Sequence, residues 1–66
     1  MEIRYYIKEV TLNKYIKVDK NNSTILCGLE EASSWSEYDS CIDALIVMDK
    51  ECVKGIFQIE KLFLLE

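Results

Sequence analysis

Residues 2–10, EIRYYIKEV, constrain this chain more than any other segment. Ile3, Tyr5 and Ile7 alternate with Arg4, Tyr6 and Lys8, and the β-branched and aromatic types favour a strand with one buried and one open face. A strand of this kind needs neighbours to satisfy its backbone and a layer to cover its apolar face. The rest of the chain must supply both within 66 residues.

The neighbours are readable. Thr11 to Lys14 predicts a short connection, with Asn13 the residue best suited to turn the chain. Residues 15–19, YIKVD, alternate again, with Ile16 and Val18 opposite Tyr15 and Lys17. The KNNS stretch at 20–23 is the strongest turn signal, and Thr24 to Cys27 predicts a short third strand ended by Gly28. Strands joined this tightly form an antiparallel meander. Residues 29–38, LEEASSWSEY, fit either one helical turn at Glu30 to Ser34 or an ordered loop whose Ala32 and Trp35 plug the core.

The covering layer comes next. Ser40-Cys41-Ile42-Asp43 resembles a capping box, with Asp39 adding negative charge at the same end. Cys41, Ala44, Leu45 and Met48 then fall on one face of a helix predicted over 41–50, widened by Ile42 and Ile46. Gly55 marks a break. The last segment, 56–66, predicts a strand. Phe57, Ile59, Phe63 and Leu65 share one face, and Ile56, Gln58, Glu60, Leu62 and Leu64 share the other. Leu62 to Leu65 is apolar on both faces, and one helix cannot cover both. Leu62 and Leu64 are therefore expected at a subunit interface. The order β-β-β-α-β defines a single α+β domain over 1–66: a small antiparallel sheet with one helix packed on one face.

Composition narrows the function. No histidine is present, which removes the commonest general base and metal ligand and rules out Ser-His or Cys-His nucleophile pairs. The two glycines build no phosphate loop. Cys27, Cys41 and Cys52 are odd in number and far apart, so neither a disulfide framework nor a zinc site is expected. Catalysis, cofactor and metal are not expected. The first ten residues carry charge throughout, unlike a secretory signal. The longest apolar run, Ala44 to Met48, is too short to span a bilayer. A cytoplasmic protein with reduced thiols is expected.

The formal net charge is −4, which disfavours binding to duplex nucleic acid. The charge is segregated: residues 30–49 carry six acidic side chains and no basic one. Glu30, Glu31, Glu37, Asp39 and Asp43 lack the ladder of a calcium loop, and a solvated face or a partner-steering surface is the expectation. If Ile3, Tyr5, Ile7, Ile16 and Val18 face the helix, then Arg4, Tyr6, Lys8, Tyr15 and Lys17 share the opposite face. Rings stack on bases, and guanidinium and ammonium groups contact phosphates. Arg4 is the single arginine and the one side chain here able to present a planar fork to a phosphate. Trp35 is read either as a core anchor or as an exposed ring, at an interface or stacked on a base. An ordinary solvated sheet face carries the same residue types.

The pieces Tyr6-Ile7-Lys8, Lys14-Tyr15-Ile16-Lys17, Glu31-Ala32-Ser33-Ser34-Trp35, Asp43-Ala44-Leu45 and Gly55 to Ile59 together resemble small proteins of hairpin–helix–strand type from bacteriophages and mobile elements. The resemblance spans most of the chain and is one of architecture. It implies a non-enzymatic inhibitor of host defence. Such a protein would sequester a phosphate-bearing nucleotide signal as a homo-oligomer. Alternatively, it would block a host protein through its acidic 30–43 segment or a sheet edge.

Overall fold

A computed structural model describes residues 2–21 and 23–65. Four strands, β1 (Glu2–Glu9), β2 (Lys14–Val18), β3 (Thr24–Cys27) and β4 (Phe57–Leu64), form one antiparallel sheet of order β3-β2-β1-β4. A 3-10 turn at Leu29–Glu31 and the helix α1 (Tyr38–Lys50) connect β3 to β4. The α+β architecture expected from the alternation is thus present, with β1 and β2 central and β3 and β4 at the edges. Among the described residues, no helix is long and apolar enough to cross a membrane.

The helix covers one face. Ile7 and Ile16 from the central strands meet Cys41 and Met48 from α1, and all four are buried. Tyr5, Val18, Trp35, Leu45, Phe57 and Ile59 pack around them. Removing each isoleucine from water contributes roughly 2 kcal/mol, so this small cluster matters in a domain of this size.

The helix departs from the expected start. It begins at Tyr38, three residues ahead of the predicted Cys41, so Ser40 and Asp43 lie inside it and no capping box forms. Glu37 takes the extended N-cap position without a side-chain cap. At the other end Val53 N–H reaches Met48 C=O at 3.1 Å, and Cys52 N–H reaches Asp49 C=O at 3.1 Å. This is a Schellman ending, with Cys52 at φ 58 in the left-handed position where glycine is usual. Gly55, at φ 147, stands where a Cβ would come within 2.8 Å of the Phe57 ring.

The tight turn after β1 is held by Glu9, a carboxylate only 5% exposed. It accepts Thr11 N–H at 2.7 Å and Leu12 N–H at 3.3 Å, while Asn13 adopts φ 56, as its turn role predicts. Asp19 organises the next turn, accepting the N–H groups of Asn21 and Ser23 at 2.9 Å. Asn22, within that predicted turn, lies outside the described residues.

The unanticipated feature is a fork. β1 pairs with β4 over its whole length, from Glu2↔Leu64 to Glu9↔Phe57. It pairs with β2 only at Lys8↔Tyr15 and Glu9↔Lys14. Residues 33–35 enter the gap. Trp35 exchanges two backbone hydrogen bonds with Tyr5, at 2.8 and 2.9 Å. Ser33 N–H donates to Ile16 C=O at 3.1 Å, and the Ser33 hydroxyl accepts Val18 N–H at 2.9 Å.

Cys52→Gly relieves a left-handed backbone cost and should stabilise the fold by about 1 kcal/mol, read as a higher urea midpoint. For Glu9, burial pushes the carboxyl up, but the hydrogen bonds from Thr11, Leu12 and Ile56 outweigh burial and hold it below its usual range. The stability this adds is therefore complete above the unfolded carboxyl's range and drains away as pH falls through the lowered folded value. Urea midpoints measured across acid pH should fall more steeply for the natural protein than for Glu9→Gln.

Candidate functional site

Strand registers decide which side chains share the face that α1 leaves open. Directly opposed residues point the same way. Arg4 opposes Leu62, Tyr6 opposes Glu60, Lys8 opposes Gln58 on one side and Tyr15 on the other, and Tyr15 opposes Cys27. Arg4, Tyr6, Lys8, Tyr15 and Lys17 therefore share the open face, as their alternation predicts, together with Glu60, Leu62 and Leu64.

Arg4 is held from the fork. Its Nε donates to the Ser34 hydroxyl at 3.0 Å, and Nη2 donates to the Ser34 carbonyl at 3.1 Å. A guanidinium carries five N–H donors, so three have no partner among the described residues. Among the described residues no carboxylate pairs with it. Lys17 is exposed and likewise makes no ion pair there.

Lys8 and Tyr15 are engaged instead, by Glu60, a residue outside the expected site. Glu60 accepts a hydrogen bond from the Tyr15 phenol through one oxygen and meets Lys8 Nζ at 3.7 Å through the other. Lys8 also lies 5.7 Å from the centre of the Tyr15 ring. One carboxylate on β4 thus reaches across β1 to β2. Its position on this face was readable from the alternation of β4, but its partners depend on the β1–β4 register, which no local pattern gives. Glu60, by accepting its hydrogen bond, together with burial and the nearby negative charge, pushes the Tyr15 phenol up to about 12.

Two expected site residues are placed differently. Tyr6 is on the open face but only 8% exposed, its ring edge-on to Tyr15 at 6.0 Å. It supports the face rather than offering a free ring. Trp35 pairs with Tyr5 and packs against the core beneath the sheet, away from Arg4 and Lys17. It is the core anchor of the two roles the sequence left open. Leu62 and Leu64 are half-buried on the open face.

The concavities beside the helix suit an anion poorly. Two apolar grooves flank α1, one lined by Val18, Ala44, Val47 and Glu51, the other by Leu45, Ile46, Asp49 and Phe57. Each carries a carboxylate and no cation. Among the described residues no three Cys, Asp or Glu side chains converge as a metal site. Burial pushes the Cys41 thiol up to about 11, and burial and Glu31 also raise Cys27, so neither favours the thiolate. Glu30, Glu31, Glu37, Asp39 and Asp43 are exposed and make no ion pair with any described residue. Compared with known protein families, curated proteins and solved structures, the chain matches none.

The Glu60 clamp has a spectroscopic signature. In an alkaline ultraviolet titration one tyrosine should ionise near pH 12, and Glu60→Gln should bring that step down toward the ordinary phenol range. A phenol raised in the fold stabilises fully below the unfolded value, and that stability is lost as pH rises through the folded one. Tyr15→Phe should cost about 1 kcal/mol in urea denaturation at neutral pH.

Proposed function

We propose that this protein is a non-enzymatic binding module that captures a phosphate-bearing nucleotide on its open sheet face. In this reading it resembles phage inhibitors that sequester nucleotide signals of host defence, and it works in the cytoplasm as a homo-oligomer. The observation that carries the proposal is Arg4: a guanidinium fixed in orientation by Ser34, with donors to spare and no described carboxylate to neutralise it. Phosphate oxygens would accept from Arg4, and Lys17 would add a second cation. The base would lie against the Leu62 side chain, which stands directly beside Arg4. A site this shallow cannot enclose a ligand alone, which is why assembly belongs to the same proposal.

A second reading rests on a separate observation. The exposed acidic residues from Glu30 to Asp43 have no cationic partner among the described residues, which suits a basic surface on a host protein. In that case Arg4 has no part in binding.

Calorimetric titration with adenosine and guanosine mono- and triphosphates, with inorganic phosphate as control, tests the first reading. Arg4→Ala should weaken binding by about tenfold or more. Glu60→Gln, which frees Lys8 and removes a negative charge, should tighten it. Absence of binding by the natural protein, or equal affinity in Arg4→Ala, overturns nucleotide capture. Recovery of a host protein by the natural chain but not by a Glu37→Lys/Asp39→Lys variant would then favour the second reading.

A further inference from the structure

The free edge of β4 carries a pattern that specifies its own partner. Val10 N–H donates to Ile56 C=O at 3.0 Å. Hydrogen-bonded pairs with β1 therefore recur at the even positions of β4. The backbone groups of Phe57, Ile59, Lys61 and Phe63 point to the open edge instead, and no backbone hydrogen bond from the rest of the described chain reaches them. Eight residues in regular register, without proline or bulge, leave this edge open to pairing, with Lys61 the one basic residue on it. Its distal end is apolar and in water: Phe63 is 56% exposed and Leu65 90% exposed.

We infer that β4 pairs antiparallel with β4 of a second copy, in the register that sets Leu62 against Leu62. Three constraints select that register. Outward backbone groups fall at odd positions, so odd residues must oppose odd residues, and the two-fold axis must pass through a residue. Centring on Glu60 or on Lys61 opposes like charges, which destabilises a strand pair. Centring on Ile59 leaves Phe63 and Leu65 exposed, and centring on Phe63 shortens the overlap. Centring on Leu62 opposes Lys61 to Phe63, Glu60 to Leu64 and Ile59 to Leu65. Lys61 already lies 5.4 Å from the centre of its own Phe63 ring, so the cation and ring are compatible neighbours.

Such a two-fold axis stands perpendicular to the sheet and brings both open faces to the same side. Because Arg4 opposes Leu62 within each copy, one row then runs Arg4, Leu62, Leu62, Arg4. Its ends lie about 14 Å apart, three strand spacings. This consequence rests on the nucleotide reading above, whereas the pairing itself stands on the sheet edge. The combined face would favour a ligand with anionic groups at both ends and an apolar middle.

The test combines charge and cross-linking. The natural protein should sediment as a dimer. Phe63→Lys opposes lysine to lysine and should give monomer, whereas Phe63→Glu opposes Lys61 and should remain dimeric. Single cysteines at 60, 61, 62 and 63, in a Cys27→Ser/Cys52→Ser background under mild oxidation, read the register independently of those variants. Leu62→Cys sits at a close, non-hydrogen-bonded pair and should cross-link roughly tenfold faster than the others. A monomeric natural protein, equal effects of lysine and glutamate at 63, or fastest cross-linking at another position overturns the inference. A monomer that still binds nucleotide overturns the pairing alone, and a Leu62-linked dimer without nucleotide affinity overturns only the reading of the face.

Discussion

The backbone pairing of Tyr5 with Trp35 is the interaction on which the other features depend. β1 and β2 separate after two residue pairs, and a bare gap between central strands would leave buried N–H and C=O groups unsatisfied. Residues 33–35 settle that deficit from both sides, serving Tyr5 on one flank and Ile16 and Val18 on the other. The same insertion sends the Trp35 side chain to the core and brings Ser34 to Arg4. Core packing and the orientation of the one arginine are thus two outcomes of a single three-residue wedge.

The open face then divides into two electrostatic zones. Toward the turn, Glu60 ties Lys8 and Tyr15 together, so two strands flanking β1 are joined over its surface and a cation is neutralised. Toward the fork, Arg4 and Lys17 have no carboxylate partner among the described residues. A structural ion pair and two cations without a described carboxylate partner thus share one sheet face, and a single carboxylate sets the boundary. The helix side carries the opposite balance, with the exposed acidic residues clustered along the 3-10 turn and the start of α1.

Much of this was legible in local patterns, and the exceptions share a cause. Period-two alternation placed Arg4, Tyr6, Lys8, Tyr15 and Lys17 on one face because strand sidedness is a local property. The helix starts at Tyr38, ahead of the expected Cys41, although Ser40 and Asp43 satisfy a local capping rule, because Tyr38 packs against Tyr5, rings 5.6 Å apart. Propensity yields to such tertiary contacts. The burial of Tyr6, the core placement of Trp35 and the reach of Glu60 all depend on which strands lie beside β1. The order β3-β2-β1-β4 and the fork are long-range facts, and no short window of residues contains them.

The complete pairing of β1 with β4 has a consequence in time. Each residue of β1 finds its β4 partner between 48 residues (Glu9 to Phe57) and 62 residues (Glu2 to Leu64) further along the chain. Contacts this distant close late, because the loop entropy is lost before the ladder compensates for it. During synthesis the hairpin of β1 and β2 can form early, but β1 keeps one bare flank until β4 clears the ribosome. Nascent chains at that stage expose a central strand rather than a designed edge, and they are the species most open to mispairing with one another.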